Sequence, residues 1–272
     1  MAHQFHPSSP DVRLTDVGRT VTTWVMFPFR DHNPSQRLPV VTMILIGANV
    51  LVFAGYLSMF GNERALAQFY FTYGLVPAKL SAGSDVYAVL TSMFLHGGFM
   101  HLAGNMLFLW IFGDNLEDEM GHVPFLLFYI AGGVVASLAQ YGANPLSRVP
   151  VVGASGAIAG VLGGYLLLFP KARVDVLIVL VIFFRVFTVP AWLMLGLWFG
   201  MQILGGVGAD PSTGGVAYWA HAGGFVAGLV LALPVWLRRG ATGFWQRTHG
   251  QPDHPETRYK IAATRVPRVR RR

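Results

Sequence analysis

Six apolar stretches, each close to the roughly 20 residues a helix needs to cross a bilayer, leave this chain little choice of fold. The first opens at Val40-Val41-Thr42-Met43-Ile44-Leu45-Ile46 and runs to about residue 60, and the others cover about 99–116, 122–141, 153–170, 190–206 and 218–237. Composition agrees: 53% of residues are hydrophobic and 12% charged, about half the charge of a soluble domain. The 32 glycines suit closely packed membrane helices. With no cysteine in the chain, disulfides, thiolate metal sites and cysteine nucleophiles are excluded. These features predict an all-α polytopic membrane protein built as a six-transmembrane-helix bundle.

The remaining segments complete the plan. Residues 1–38 read as a polar tail, 39–237 as the helical domain, and 238–272 as a basic tail without fixed structure. Within the long first connection, Asp85-Val86-Tyr87-Ala88-Val89-Leu90 is too short to cross and reads as an interfacial or re-entrant helix. Residues 174–188 are interrupted by Arg185 and bounded by Pro190, and read as a connector packed on the bundle. Six spans put both termini on one side of the membrane. Of the 20 Lys and Arg, only Arg64, Lys79 and Arg148 fall on the other side, so the termini are expected to be cytoplasmic. The expected location is a plasma membrane of bacterial type.

Topology brings polar residues to one depth. Spans two, four and six run in the same direction, from outside to inside. His101 and Asn105 lie near the start of span two, Ser155 near the start of span four, and His221 near the start of span six. Each has an ordinary explanation alone. A membrane serine often bonds back to its own helix, an asparagine often joins two helices, and a histidine can sit at the interface. Four at one depth are better explained by a shared site. Gly156, Gly160 and Gly164 form a stripe of small residues on span four, and Gly224 and Gly228 follow His221 on one face of span six. Such stripes allow close helix approach, near enough for a Ser155–His221 hydrogen bond. His101 and Asn105, four apart, share a face of span two.

Three motifs in order carry a family resemblance: His96-Gly97-Gly98-Phe99-Met100-His101-Leu102-Ala103-Gly104-Asn105, Gly153-Ala154-Ser155-Gly156, and Ala220-His221 with Gly224 and Gly228. Together they resemble the rhomboid intramembrane serine proteases over roughly residues 40–237. The resemblance implies a Ser155 nucleophile and a His221 general base. It implies an oxyanion hole of His101, Asn105 and the backbone N–H of Ser155. His96 takes a structural hydrogen-bonding role, and a flexible cap is expected over residues 205–217, with Gly205, Gly206, Gly208, Gly214 and Gly215. The implied reaction hydrolyses peptide bonds in or near transmembrane segments, needs no cofactor or metal, and has membrane-anchored proteins and the bilayer as partners, not nucleic acid.

Two departures stand out. Tyr87-Ala88 occupies the place where many relatives carry Trp-Arg, and Ala159 stands where some place an aromatic ring against the catalytic histidine. No acidic residue is placed to orient His221, so a dyad is expected. The alternatives are a catalytically silent, rhomboid-like factor that binds or escorts membrane proteins, and a metal carrier using His96, His101 and His221. Against the first, the serine, the histidine and the oxyanion candidates are all present. Against the second, His96 and His101 are five apart, a poor spacing for two ligands on one helical face.

Overall fold

The computed structural model describes residues 25–31, 33, 35–180, 183–210 and 214–252; the expectations for the rest of the two tails fall outside this set. A strand β1 (Val25–Asp31) precedes helix α1 (Val40–Tyr56), which a 3-10 turn extends to Gly61. The long first connection holds α2 (Glu63–Tyr73), α3 (Pro77–Ser81) and α4 (Ala88–Thr91). Then come α5 (Phe99–Met120), α6 (His122–Ala143) and α7 (Ser155–Leu168), strands β2 (Arg173–Leu180) and β3 (Phe183–Pro190), and helices α8 (Ala191–Gly208), α9 (Tyr218–Arg238) and α10 (Thr242–Thr248).

Helices occupy all six stretches read as spans, but they are not equivalent. Among the described residues four are long and apolar enough to cross a membrane: α1 with its extension, α6, α8 and α9. A fifth is counted if Ala88–Phe94 and α5, bent by 94° at their junction, act as one broken span. Helix α7 has 14 residues, about 21 Å at 1.5 Å per residue, against about 30 Å of hydrocarbon. It is nonetheless the most enclosed helix, with Ala157–Tyr165 all buried. It is the central post of the bundle.

The all-α expectation is corrected by a three-stranded antiparallel sheet in the order β1-β2-β3. The segment read as a connector is the β2–β3 hairpin, paired from Arg173↔Pro190 to Leu180↔Phe183. Its residues, Val174-Asp175-Val176-Leu177-Ile178-Val179 and Phe183-Phe184-Arg185-Val186-Phe187-Thr188-Val189, are almost all β-branched or aromatic, types that favour strands. The run lacks regular polar alternation, so strand and apolar helix look alike in sequence. Strand β1 lies in the stretch read as a tail and pairs with β2 from Val25↔Val179 to Asp31↔Val174. Asp31 then ties the sheet to the bundle, accepting from Asn115 Nδ2 of α5 (3.0 Å) and Tyr165 OH of α7 (3.3 Å). At the other boundary α10 continues the fold past residue 237: Phe244 is buried, and Trp245 Nε1 donates to Leu167 O at 3.0 Å.

The acidic run that closes α5 is structural. Pro39, which precedes α1, offers no side-chain cap. Glu117 instead reaches across and accepts from the N–H groups of Val41 and Thr42 and from Thr42 Oγ1, each at 2.8 Å. Those are donors a helix start leaves without acceptors, and a carboxylate there also suits the helix dipole. Glu119 pairs with Arg239 at 2.6 Å, fastening the end of α9 to the same corner.

At the opposite end the first connection folds over the loop that leads into α7. Leu75 and Val151 exchange backbone hydrogen bonds, and Ser81 Oγ donates to Pro145 O. Asp85-Val86-Tyr87 leads into the short α4, and Tyr87 OH donates to Thr72 O at 3.0 Å. The stretch expected to be an interfacial or re-entrant helix thus ends in a helical turn that runs into the bent junction with α5, with Tyr87 tied to α2.

Between the ends, glycine decides how closely α7 and α9 approach. A Cβ at Gly224 would collide with the carbonyl oxygen of Gly156, and one at Gly228 with that of Gly160. The predicted stripe holds for these four residues and fails at Gly164, which faces Phe128 and Leu116 instead. Gly163 continues the contact, against the backbone of Phe225. The shift follows from helix geometry, since steps of four residues drift around an axis of 3.6 residues per turn.

Candidate active site between four helices

Helix α7 starts at Ser155, so its hydroxyl stands at the mouth of the bundle and its backbone N–H has no acceptor within the helix. Gly153, two residues earlier, has φ +136, a backbone conformation that side-chain-bearing residues rarely adopt. A Cβ there would come within 2.9 Å of His101 Nε2 and 3.3 Å of Ser155 Oγ. Those two polar atoms therefore flank the space beside the Gly153 backbone.

The close α7–α9 packing brings His221, in the first turn of α9, onto the serine. His221 Nε2 lies 2.8 Å from Ser155 Oγ. The other ring nitrogen, Nδ1, lies 2.8 Å from Gln202 Oε1 of α8. An amide oxygen only accepts, so Nδ1 carries the proton and Nε2 is left with a lone pair toward the serine hydroxyl. The ring of Trp198, one turn before Gln202, lies 5.8 Å from the imidazole, tilted by 33°. The structure brings together Ser155 and His221, which the sequence placed at one depth, and adds beside them two α8 residues that the sequence reading did not single out. Their signal was Gln202, a lone amide among the apolar side chains of 191–208, with an aromatic residue four positions before it.

Helix α5 supplies the donors. His101 Nδ1 accepts from the Gly97 N–H at 3.2 Å, which puts the ring proton of the neutral imidazole on Nε2, the atom beside Gly153 and the serine. Asn105 is 7% exposed, and its Nδ2 has no hydrogen-bond partner among the described residues. A buried amide donor left unmatched costs about 1–3 kcal/mol, and groups kept at such cost are commonly functional. His96 behaves differently. It is fully buried with its ring about 5.1 Å from that of His101, and its hydrogen bonds run through the backbone, to Tyr56 OH and Tyr70 OH. The hydrogen bonds of His96 to Tyr56 and Tyr70 are thus those of its main chain.

Ser155, His101, Asn105 and His221 line one cavity of about 1170 Å³, together with Trp198, Val149–Val152, Gly208–Asp210 and Gly214–Tyr218. The expected cap over 205–217 is shorter than predicted. Helix α8 continues to Gly208, and Gly205 and Gly206 sit against the rings of Tyr218 and Trp219. The glycines there serve helix-to-ring contact, and the described non-helical residues of the expected cap are Ala209, Asp210 and Gly214–Ala217. Its positions 211–213 lie outside the described residues.

A hydroxyl bonded to an imidazole, beside two side-chain donors and a helix N-terminus, is a constellation for nucleophilic attack on a carbonyl with stabilisation of the resulting oxyanion. The sequence model of the rhomboid domain matches residues 83–238, more than half of the chain. The chain belongs to the rhomboid family. It is similar to the rhomboid protease GluP of Bacillus subtilis, at 34% identity over 47% of this chain and 24% of that protein. It is similar also to the mitochondrial rhomboid protein 1 of Saccharomyces cerevisiae, at 34% over 53% of this chain and 40% of the relative. RHOMBOID-like protein 4 of Arabidopsis thaliana is 32% identical over 69% of this chain and 43% of its own length. This rhomboid thus spans less than half the length of each of these curated relatives. Family and apolar helices together make it an integral membrane protein. Relatives from a bacterium, a plant and mitochondria do not tie it to the bacterial plasma membrane expected from sequence.

Proposed function

We propose that this rhomboid is an intramembrane serine endopeptidase whose reaction runs on a Ser155–His221 dyad. The observation that carries the reading is the 2.8 Å contact between Ser155 Oγ and the lone pair of His221 Nε2. As Oγ attacks the scissile carbonyl, its proton passes to Nε2 and the carbonyl oxygen becomes an oxyanion. His101 Nε2–H, Asn105 Nδ2 and the Ser155 N–H receive that charge; one such donor in a dry site is worth roughly 2.7–4 kcal/mol. The imidazolium then protonates the leaving amine, the C–N bond breaks, and the ester left on Ser155 is hydrolysed by water activated at Nε2.

In this reading the chain crosses the bilayer six times, with the sheet and both termini on the cytoplasmic side, the cavity in the outer leaflet, and α7 short enough to hold its serine below the surface. A 14-residue post leaves roughly 9 Å of a 30 Å core for a water-bearing cavity above it. The substrate is a membrane-anchored protein whose helix opens readily, because a helix hides its carbonyls in internal hydrogen bonds.

The test is cleavage of a panel of single-span substrates by reconstituted protein, with and without a serine-directed covalent inhibitor. Cleavage that the inhibitor abolishes is expected, with the label on Ser155. Replacing the Gly and Pro residues of a cleaved substrate by Leu should suppress cutting without blocking insertion, since Gly and Pro weaken a helix by about 1 and 3 kcal/mol relative to Ala. Equal cutting of the stiffened substrates would refute the unwinding requirement.

A further inference from the structure

We propose that Gln202 is a positioning residue for the catalytic base, fixing the tautomer and orientation of His221, with Trp198 as the wall the imidazole rests on. This rests on the dyad reading above and adds to it the group that takes the place of a third, acidic member.

The amide of Gln202 has a fixed direction. Gln202 Nε2 donates to the carbonyl oxygen of Trp198 at 3.3 Å, while Oε1 faces His221 Nδ1 at 2.8 Å. Turning the amide over would set Oε1 against the Trp198 carbonyl, two acceptors facing each other, and an N–H against the N–H of Nδ1. The helix carbonyl one turn back therefore selects the orientation in which Gln202 accepts. An acceptor at Nδ1 keeps the proton there and leaves Nε2 bare for Ser155. In serine hydrolases the wrong imidazole tautomer costs as much as about 10⁴-fold in turnover.

Burial strengthens the case. Gln202 is 8% exposed, on a helix whose other side chains are apolar. A primary amide at membrane depth is costly unless its hydrogen bonds are made, and here one goes to the base and one to the backbone. Trp198 completes the seat: its ring lies 5.8 Å from the imidazole and 6.0 Å from the ring of Phe225. Ala159, four residues after the nucleophile and fully buried, leaves that face of the cavity to be filled from α8. The departure noted at Ala159 thus has its counterpart in Trp198.

The groups facing the imidazole can be named. Ser155 faces it from α7, His101 from α5, and Trp198 and Gln202 from α8. Helix α6 meets α9 through Val135, Ala136, Ala139 and Gln140, none of which titrates. Asp210 and Tyr218 line the same cavity, and both ring nitrogens are already taken by neutral partners. A neutral amide orients the base without neutralising the imidazolium, so a carboxylate at the same position would add basicity.

Cleavage of a single-span substrate in proteoliposomes, with kcat and KM measured across pH, tests this in three proteins. Gln202→Met keeps the volume and removes the acceptor; kcat should fall about 10- to 100-fold, the scale for losing a group that orients an imidazole, with KM within about twofold. Gln202→Glu should restore most of the turnover and move the acid limb of the pH–rate profile to higher pH. Ser155→Ala serves as the reference, because cleavage by that protein would remove the dyad itself. The positioning role is overturned if Gln202→Met turns over within about twofold of the parent while Ser155→Ala is inactive. It is equally overturned if Gln202→Met and Gln202→Glu fall together at every pH, since a folding defect then accounts for the loss.

Discussion

Truncating Asn105 to alanine isolates a contribution that exists only in the transition state. Its Nδ2 is buried against the cavity and has no hydrogen-bond partner among the described residues, so Asn105→Ala removes a donor without stranding a described partner. The usual cost of breaking a buried hydrogen bond, about 1–3 kcal/mol, is therefore absent, and stability should change by less than about 1 kcal/mol. Turnover should behave otherwise. One lost oxyanion donor costs about 2.7–4 kcal/mol, a factor of about 10² to 10³; with His101 Nε2 and the Ser155 N–H still in place, the expected fall is roughly 10- to 1000-fold. Because the ground-state carbonyl asks little of that donor, the loss should appear in kcat with KM nearly unchanged. The assay is steady-state cleavage of a reconstituted single-span substrate, beside thermal unfolding of the same preparation. Unchanged kcat would refute the assignment. A loss of several kcal/mol in stability would return Asn105 to helix-to-helix contact.

Two further predictions follow from the ends of the bundle. The chain lacks cysteine, so a single cysteine at Leu146, an exposed residue beside the cavity end, should label from outside with an impermeant thiol reagent, and one at Gln251 only after lysis; the reverse result would invert the topology. At the sheet, burial raises the carboxyl of Asp31 from 3.8 to about 6, so the folded state holds that proton more tightly than the unfolded chain. The stabilisation is full below about pH 4 and lost as pH rises through about 6, at most roughly 3 kcal/mol. The unfolding midpoint should fall between about pH 4 and 6.5, and Asp31→Asn should flatten that change; a parallel slope in both proteins would place the titration elsewhere.

How much could be read in advance varied with the kind of signal. Ser155, His221, His101 and Asn105 stood out because a polar residue in an apolar run is conspicuous, and the alternating direction of successive spans sets their relative depth. The Gly156–Gly224 and Gly160–Gly228 contacts were legible as stripes, whereas Gly164 was misplaced because a straight stripe ignores helical drift. The sheet was hidden, since Val174–Val189 is apolar on both faces and β1 lies 142 residues upstream of its partner, from Asp31 to Arg173. Gln202 was overlooked for a related reason. The search for a third catalytic member asked for a carboxylate, and an amide that only orients the ring carries no charge to betray it.

The central claim is that peptide-bond hydrolysis runs on one unit made of Ser155 and His221. Reconstituted Ser155→Ala, His221→Ala and the double variant, each checked for folding and insertion, should all lose proteolysis, and the double variant should be no worse than either single one, because members of a catalytic unit are not additive. Clear cleavage by purified Ser155→Ala protein would contradict it.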